Sequence, residues 1–582
     1  MFGGPLLLRE LLTLPRQPKH FGLRAGYVLA LCVLIYTGAQ TTFGLTPLRS
    51  ISDIAMFGAW IFSVVCIVQL ALVIACSLLF SAGAVAQDKD RRTLILLLMT
   101  DLRTPELVLG RSLGSIVPVL VLILVSIPVL CLLRILGGVT LDQIVWVELI
   151  CLVSALAASA WGTLVGYWRE KTFQILSISL LGAGLFLGLT EAVMFTAGAD
   201  SQIGRIAAWL NPFRSLGNVL NPFEGATSET VPVLQAWGTS GALLAVAAIL
   251  WVWTCLRVRV WNPSRTIYIQ AEEKPEPADE AAASQKSRSK TRDVWSTPVL
   301  WREICTQAYG RKVGLIKLAY FVLAAGGILW LGQLPADAPP AFGVLNGSGV
   351  VFAILSLLAL FLVNAQSVTS LTSERDGQTL ELLLVTEVTA KEFVFGKLGG
   401  VLFNTKEVIA VPLLLAAMTF IRGGMTLSGF LSLLVGFLVL VLFSAMLGLH
   451  SGFSHASSRS AILNSLGTIF FLFIGIFICM MLIVEARASF MLQLVPFLVF
   501  ILGGSLGLWM SLTHQNPSPA LTLCAWTLPF LTFYAIVSFL LTDNVAVSLA
   551  ILAGYGFTTL SMLIPAVSAF DVALGRTTLD RG

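Results

Sequence analysis

Apolar segments of about 20 residues, the length a helix needs to cross a bilayer core of roughly 30 Å, recur along almost the whole chain. With 57% hydrophobic and 12% charged residues over 582 positions, there are too few polar side chains to cover a soluble globule of this size. Inside lipid the backbone must satisfy its own hydrogen bonds, and the strict alternation of a barrel strand is missing, so the fold class is an all-α polytopic membrane protein.

The sequence predicts spans near 24–44, 54–84, 112–136, 145–167, 173–197 and 234–256 in the first half. The second half adds 314–334, 349–370, 398–421, 427–450, 461–484, 491–511, 521–541 and 545–569. These make fourteen, or twelve if the segment 491–541, broken at His514 to Pro519, is a re-entrant hairpin. The opening PLLLRELLTLPRQPKH is too polar for a secretory signal, so the first span is expected to remain in the mature protein. With both termini on the cytoplasmic side, only Arg49, Arg134, Arg205, Arg214, Arg422 and Arg487 of the 36 basic residues fall outside, as the positive-inside bias requires.

The net charge of +5 follows from that bias, and no basic stripe with interleaved aromatics suggests a nucleic-acid partner. Cysteines fall almost entirely in or beside spans, where they behave as small apolar residues, and their spacing suggests neither a disulfide framework nor a metal site. His450 and His455, five apart without carboxylates, make a poor metal pair. No cofactor is expected.

Residues 262–297 shift abruptly to Lys, Glu, Pro, Ser and Ala and read as a charged cytoplasmic linker. It separates a first membrane unit, 1–261, from a second, 298–582. Each unit opens on a short amphipathic segment with Pro5/Pro298, Arg9/Arg302 and Glu10/Glu303 in register, read as an interfacial helix leading into the first span.

The units share a longer repeat. The segment from Gln87 and the segment from Ser373 align without a gap, pairing Asp90/Asp376, Thr93/Thr379, Leu94/Leu380, Leu96/Leu382, Leu97/Leu383, Leu98/Leu384, Thr100/Thr386, Glu106/Glu392, Val108/Val394 and Gly110/Gly396. Each is a charged island between apolar runs. A charged cluster (Asp88, Lys89, Asp90, Arg91, Arg92; Glu374, Arg375, Asp376) precedes leucines spaced i, i+3, i+4, which predicts a short helix with one apolar ridge. Thr389 with Glu392, and Thr104 with Pro105, then start a second helix running through Gly110-Arg111 or Gly396-Lys397 into the membrane. A ridge of this kind is expected to face out of the bilayer and dock into a groove on a soluble partner.

In Glu374, Arg375, Gly377, Thr379, Leu380, Glu381, Leu383, Leu384, Thr386, Glu392, Gly396 and Lys397 the second copy resembles the permease subunits of ABC transporters of the type-two, exporter-like class. The first copy carries Arg91, Ile95 and Arg111 where that pattern has Gly, Glu and Lys. Asn211-Pro212-Phe213, Asn221-Pro222-Phe223 and Asn516-Pro517 echo the family's asparagine-proline element.

The resemblance implies two permease units fused in one chain of a bacterial cytoplasmic (inner) membrane, moving an unidentified substrate. It also implies that Asp88, Arg91, Arg92, Thr93, Leu94, Leu97, Thr100, Glu106, Gly110 and Arg111, with the second-copy residues above, couple the chain to a cytoplasmic ABC ATPase. No phosphate-binding loop or dinucleotide fingerprint occurs in the sequence, so ATP hydrolysis is expected on another chain and no catalytic residue here. Polar residues within spans, Gln69, Glu148, Glu191, Asn404 and Glu407 among them, are candidates for a substrate path, with Glu148 and Glu191 near the outer boundary. A secondary transporter or a non-transporting membrane scaffold are the competing readings.

Overall fold

Every predicted span is helical over its described residues in the computed structural model, which describes residues 4–13, 18–43, 51–198, 201–220, 230–262, 295–305, 313–333, 346–376, 388–455, 457–476, 490–514, 518–540 and 544–573. Nineteen helices and no strand occur among these residues, and twelve helices are long and apolar enough to cross a membrane. The chain is an all-α polytopic membrane protein.

The first half runs α1 (Gly4–Thr13), α2 (Pro18–Phe43), α3 (Ile51–Asp90), α4 (Thr93–Met99), α5 (Thr104–Ile135), α6 (Leu141–Trp168), α7 (Thr172–Ala197), α8 (Gln202–Leu210), α9 (Pro212–Leu220) and α10 (Thr230–Trp261). The second runs α11 (Pro298–Cys305), α12 (Val313–Gln333), α13 (Gly347–Asp376), α14 (Ala390–Ile421), α15 (Leu427–Ser454), α16 (Ser458–Gly475), α17 (Phe490–Leu512), α18 (Pro519–Leu540) and α19 (544–573). At 40 residues, or about 60 Å, α3 is twice the thickness of a bilayer core, so its charged end stands clear of the lipid.

A shift of 286 positions carries α5 onto α14 and α6 onto α15 end for end, and the end of α3 onto that of α13. The local devices follow the same register. Thr140 and Thr426 both cap the following helix, accepting from the backbone of Gln143 and Gly429, and Gly137 and Gly423 both turn through positive φ. A Cβ on Gly162 would lie 2.7 Å from the Leu78 carbonyl oxygen, and one on Gly448 would lie 2.8 Å from that of Asn364. The backbones of α3 and α6, and of α13 and α15, therefore approach closely at the equivalent point.

One large apolar core lies within each half, a small satellite cluster sits at the island end of the first, and a further core is shared. There Ala82, Val165, Phe173 and Leu181 of the first half pack with Tyr320, Leu355, Ala359 and Val363 of the second. Helix α7 lies against α12 and α13, and α16 reciprocally touches α3. The terminal residues of α3 and α13, Asp90 and Asp376, are close enough to interact electrostatically, as are Arg91 and Arg375. Both islands therefore lie at one end of the bundle.

The halves differ between their fifth and last spans. The first half carries the nine-residue helices α8 and α9 there. The second carries α17 and α18, 23 and 22 residues long and packed on each other, with α17 also against α2 of the first half. At roughly 33 Å each, these are of full membrane length rather than a shallow hairpin.

Candidate functional site: the paired charged islands

Buried charge must be matched, and at the island ends each half does so with the same constellation. In the second half Lys397 of α14 is 1% exposed and donates to Glu303 of α11 at 2.6 Å, to Glu374 of α13 at 2.7 Å and to the Ser370 carbonyl at 3.1 Å. Arg302 adds a second cation, pairing with Glu374 and lying 3.3 Å from Glu303. In the first half Arg111 of α5 reaches Asp88 of α3 at 2.7 Å, the Ala84 carbonyl at 3.0 Å and Glu10 of α1 at 3.7 Å, while Arg9 pairs with Glu10 at 2.9 Å. Arg111, Asp88 and Ala84 map onto Lys397, Glu374 and Ser370 in the register of 286, and each constellation holds two cations and two carboxylates.

Packing seats the short helices as well. A Cβ on Gly114 would lie 3.0 Å from Glu10, and one on its counterpart Gly400 would lie 2.5 Å from Glu303. At Gly396 an added Cβ would meet Val299 of α11 at 2.9 Å, and the equivalent Gly110 is buried. Glu106 and Glu392 close the start of α5 and α14 by accepting from the backbone N–H of Arg103 at 3.3 Å and of Thr389 at 3.1 Å.

A second pair of pins follows. Lys89 donates to the carbonyls of Tyr167 and Arg169 at 2.8 and 2.7 Å, tying the end of α3 to the end of α6. Its counterpart Arg375 donates to the Gly452 carbonyl at 2.9 Å and to that of His455. Asp90 accepts from Thr172 at 2.5 Å, and Asp376 from Ser458, which fixes the first residue of α7 and of α16. These cations hydrogen-bond carbonyls at the C-terminal ends of helices in both halves, where the negative end of the helix dipole lies.

Between α3 and α4 the chain turns through Arg92, the one non-glycine residue with positive φ among those described. Thr93 then donates back to the Asp88 carbonyl at 3.2 Å, and Thr100 to that of Leu97 at 2.6 Å. The expected outward ridge is corrected here. Leu94 is 3% exposed and packs with Val85, Val108, Tyr167 and Val258, Leu98 leans on the same cluster, and Leu97 is half-buried. The gap between the ends of α3, α5, α6 and α10 is apolar, so the ridge fills it. The outward face instead presents Leu96 and Met99, 65% and 69% exposed, between exposed Arg91, Arg92 and Arg103.

In the second copy Gly377, Thr379, Leu380, Glu381, Leu383, Leu384 and Thr386 lie outside the described residues, as do Asn221-Pro222-Phe223 and Asn516-Pro517. Asn211 caps α9 by accepting from Phe213 N–H at 3.0 Å.

The path candidates separate into two kinds. Glu191 pairs with Arg214 at 2.7 Å, raising the guanidinium above its ordinary value, and accepts from Asn211 at 2.6 Å, so it fastens α7 to α9. Glu407 pairs with Lys317 of α12 at 2.7 Å, and Asn404 lies 3.4 Å from the Glu303 carbonyl, joining helices as well. Gln69 and Glu148, by contrast, meet in the interior of the first half. Glu148 is buried rather than solvated at a helix end.

The roles of Glu10, Glu303 and Ser126 were missed by sequence reasoning. The matched Arg-Glu pairs at 9–10 and 302–303 were the available signal for the first two. No protein-family model matches the chain, and no curated protein matches it.

Proposed function

We propose that the chain is the membrane-spanning component of an ATP-driven transporter of the type-two, exporter-like ABC class. On this reading it works with an ATPase on a separate cytoplasmic polypeptide, exports its substrate and is not itself an enzyme. The observation that carries the reading is the paired constellation at one end of the bundle. Each interfacial helix is locked to a re-entering span and to the end of a long helix, so a push on either island is delivered to three helices at once. In the first half that island offers Leu96 and Met99 to a partner.

Both islands lying at the same end favours parallel units over the inverted repeats common in secondary transporters. Full-length chain purified from native membranes is expected to bring down a nucleotide-hydrolysing subunit. Replacing Leu96 and Met99 together by Ser is expected to weaken that association about tenfold, corresponding to an anchor loss of ~1.4 kcal/mol, without lowering membrane expression. Recovery of no ATPase, or undiminished recovery with the double variant, would reject the reading.

A further inference from the structure

Glu148 lies seven residues into α6, about 10 Å along its axis from the end opposite the islands. Ser126 Oγ of α5 lies 2.8 Å from its carboxylate and 2.7 Å from the Ile123 carbonyl, the two acceptors open to its single proton, and Gln69 Nε2 of α3 approaches both carboxylate oxygens, at 3.1 and 3.2 Å. The same amide nitrogen lies 3.0 Å from Ser126 Oγ. Every one of these donors is neutral. None of the ion pairs among the described residues includes Glu148. Among the described residues the titratable groups that feel its charge are Tyr27 of α2, Cys66 of α3 and Cys151 of α6, and none of them brings a positive charge. Gln69 is 3% exposed, and its Oε1 is buried without a partner.

The fold does not require this polarity. In the register of 286, Gln69, Ser126 and Glu148 become Leu355, Pro412 and Leu434, and Cys66 and Cys151 become the packed pair Phe352 and Phe437, ring centroids 6.0 Å apart. The register of the Arg-Glu pairs carries Tyr27 onto Tyr320, whose hydroxyl donates to the Leu355 carbonyl at 3.0 Å. An apolar contact in one half is thus a carboxylate with an orphan amide oxygen in the other.

An ionised carboxylate in a membrane interior needs a compensating positive charge, and neutral donors do not supply one. A proton is the smallest cation that does. It needs one free lone pair on Glu148, whereas alkali and alkaline-earth ions need several oxygens converging on one point. The amide turns its nitrogen toward the carboxylate. Once Glu148 carries the proton its O–H becomes a donor, and a rotation of the Gln69 amide brings the orphan Oε1 round to accept it.

We propose that Glu148, with Gln69 and Ser126, forms a proton-binding site within the first half alone, loaded from the end of the bundle away from the islands. Uptake and release change the α3–α6 contact through the Gln69 amide. The site does not depend on which subunit drives the islands, so its test is separate from that of the transporter reading.

Dicyclohexylcarbodiimide, an apolar reagent that modifies protonated carboxyls in apolar surroundings, reports directly on the bound proton. Full-length chain in lipid nanodiscs is treated with it at neutral and at alkaline pH, in sodium chloride or choline chloride, and the adduct is located by peptide mass spectrometry. Glu148 is expected to be labelled at neutral pH, at least tenfold less at alkaline pH, and equally in the two salts. Gln69→Leu, which removes the amide that holds the ionised form, is expected to keep labelling to higher pH. No adduct on Glu148 at neutral pH would overturn the proposal, and protection by sodium would overturn it in favour of a metal-cation site. Site mapping in the wild-type chain decides the matter even if Gln69→Leu does not fold.

Discussion

Lys397 and Arg111 hold equivalent places and differ in how completely they are buried. Lys397 and Glu303 are each 1% exposed, so removing the lysine leaves the sealed Glu303 with Arg302 at 3.3 Å as its remaining ion-pair partner among the described residues. Loss of one partner from such a pair costs about 3–5 kcal/mol. Arg111, at 17% exposure and 3.7 Å from Glu10, leaves its partners better hydrated. Lys397→Ala is therefore expected to lower the thermal midpoint in detergent clearly more than Arg111→Ala. Glu374→Lys, which sets a third cation beside Lys397 and Arg302, is expected to reduce folded yield rather than leave the membrane part intact. Equal midpoints for the two alanine variants would show that the constellations are not buried as described.

Among the elements, α4 divides its leucines between two tasks. Leu94 is sealed among Val85, Val108, Tyr167 and Val258, so Leu94→Ala is expected to destabilise the first half by about 2–5 kcal/mol through the cavity it leaves. Leu96→Ala should leave the denaturation midpoint nearly unchanged, since that side chain is 65% exposed. A comparison of midpoints for the two variants checks the assignment of faces. The i, i+3, i+4 spacing correctly announced a ridge, but spacing does not say whether the surface covered belongs to the chain itself or to a partner. The charged cluster was likewise legible as a cluster. That it rides on the last turns of α3 and α13 was not, because what prolongs those helices is pairing with residues about 80 positions away.

For the whole molecule, equivalent ends of the two halves are expected on the same side of the membrane. Single cysteines at the exposed positions Met99 and Lys391, in a chain with exposed Cys32 changed to Ser, should react with an impermeant maleimide from one side only. Cysteines at Leu141 and Leu427 should react only from the other. Labelling of positions 99 and 391 from opposite sides would mean that the halves are inverted. The symmetry stops at the connection before the last span, where α17 and α18 stand in place of α8 and α9. The sequence showed the extra apolar length, whereas the seat of α17 against α2 depended on the other half of the molecule.

The sequence by itself determined the helical class, the approximate positions of the spans and the register of the repeat, although among the described residues only twelve of the fourteen expected spans are long and apolar enough to cross and several helices run past their expected ends. Each rests on information local to a few turns: apolar length against bilayer thickness, the Thr389–Glu392 cap, and the gap-free match from Gln87 and Ser373. Only the tertiary structure decided that Glu303 and Glu374 share Lys397, that Leu94 turns inward and that Glu148 meets Gln69 and Ser126 with no ion-pair partner among the described residues. The polar pairings among them join residues 22 to 94 positions apart, and Leu94 is covered by residues as far away as Val258. They exist because helices packed at close range must satisfy each buried polar group with whatever faces it, and no periodicity along one helix specifies what that will be.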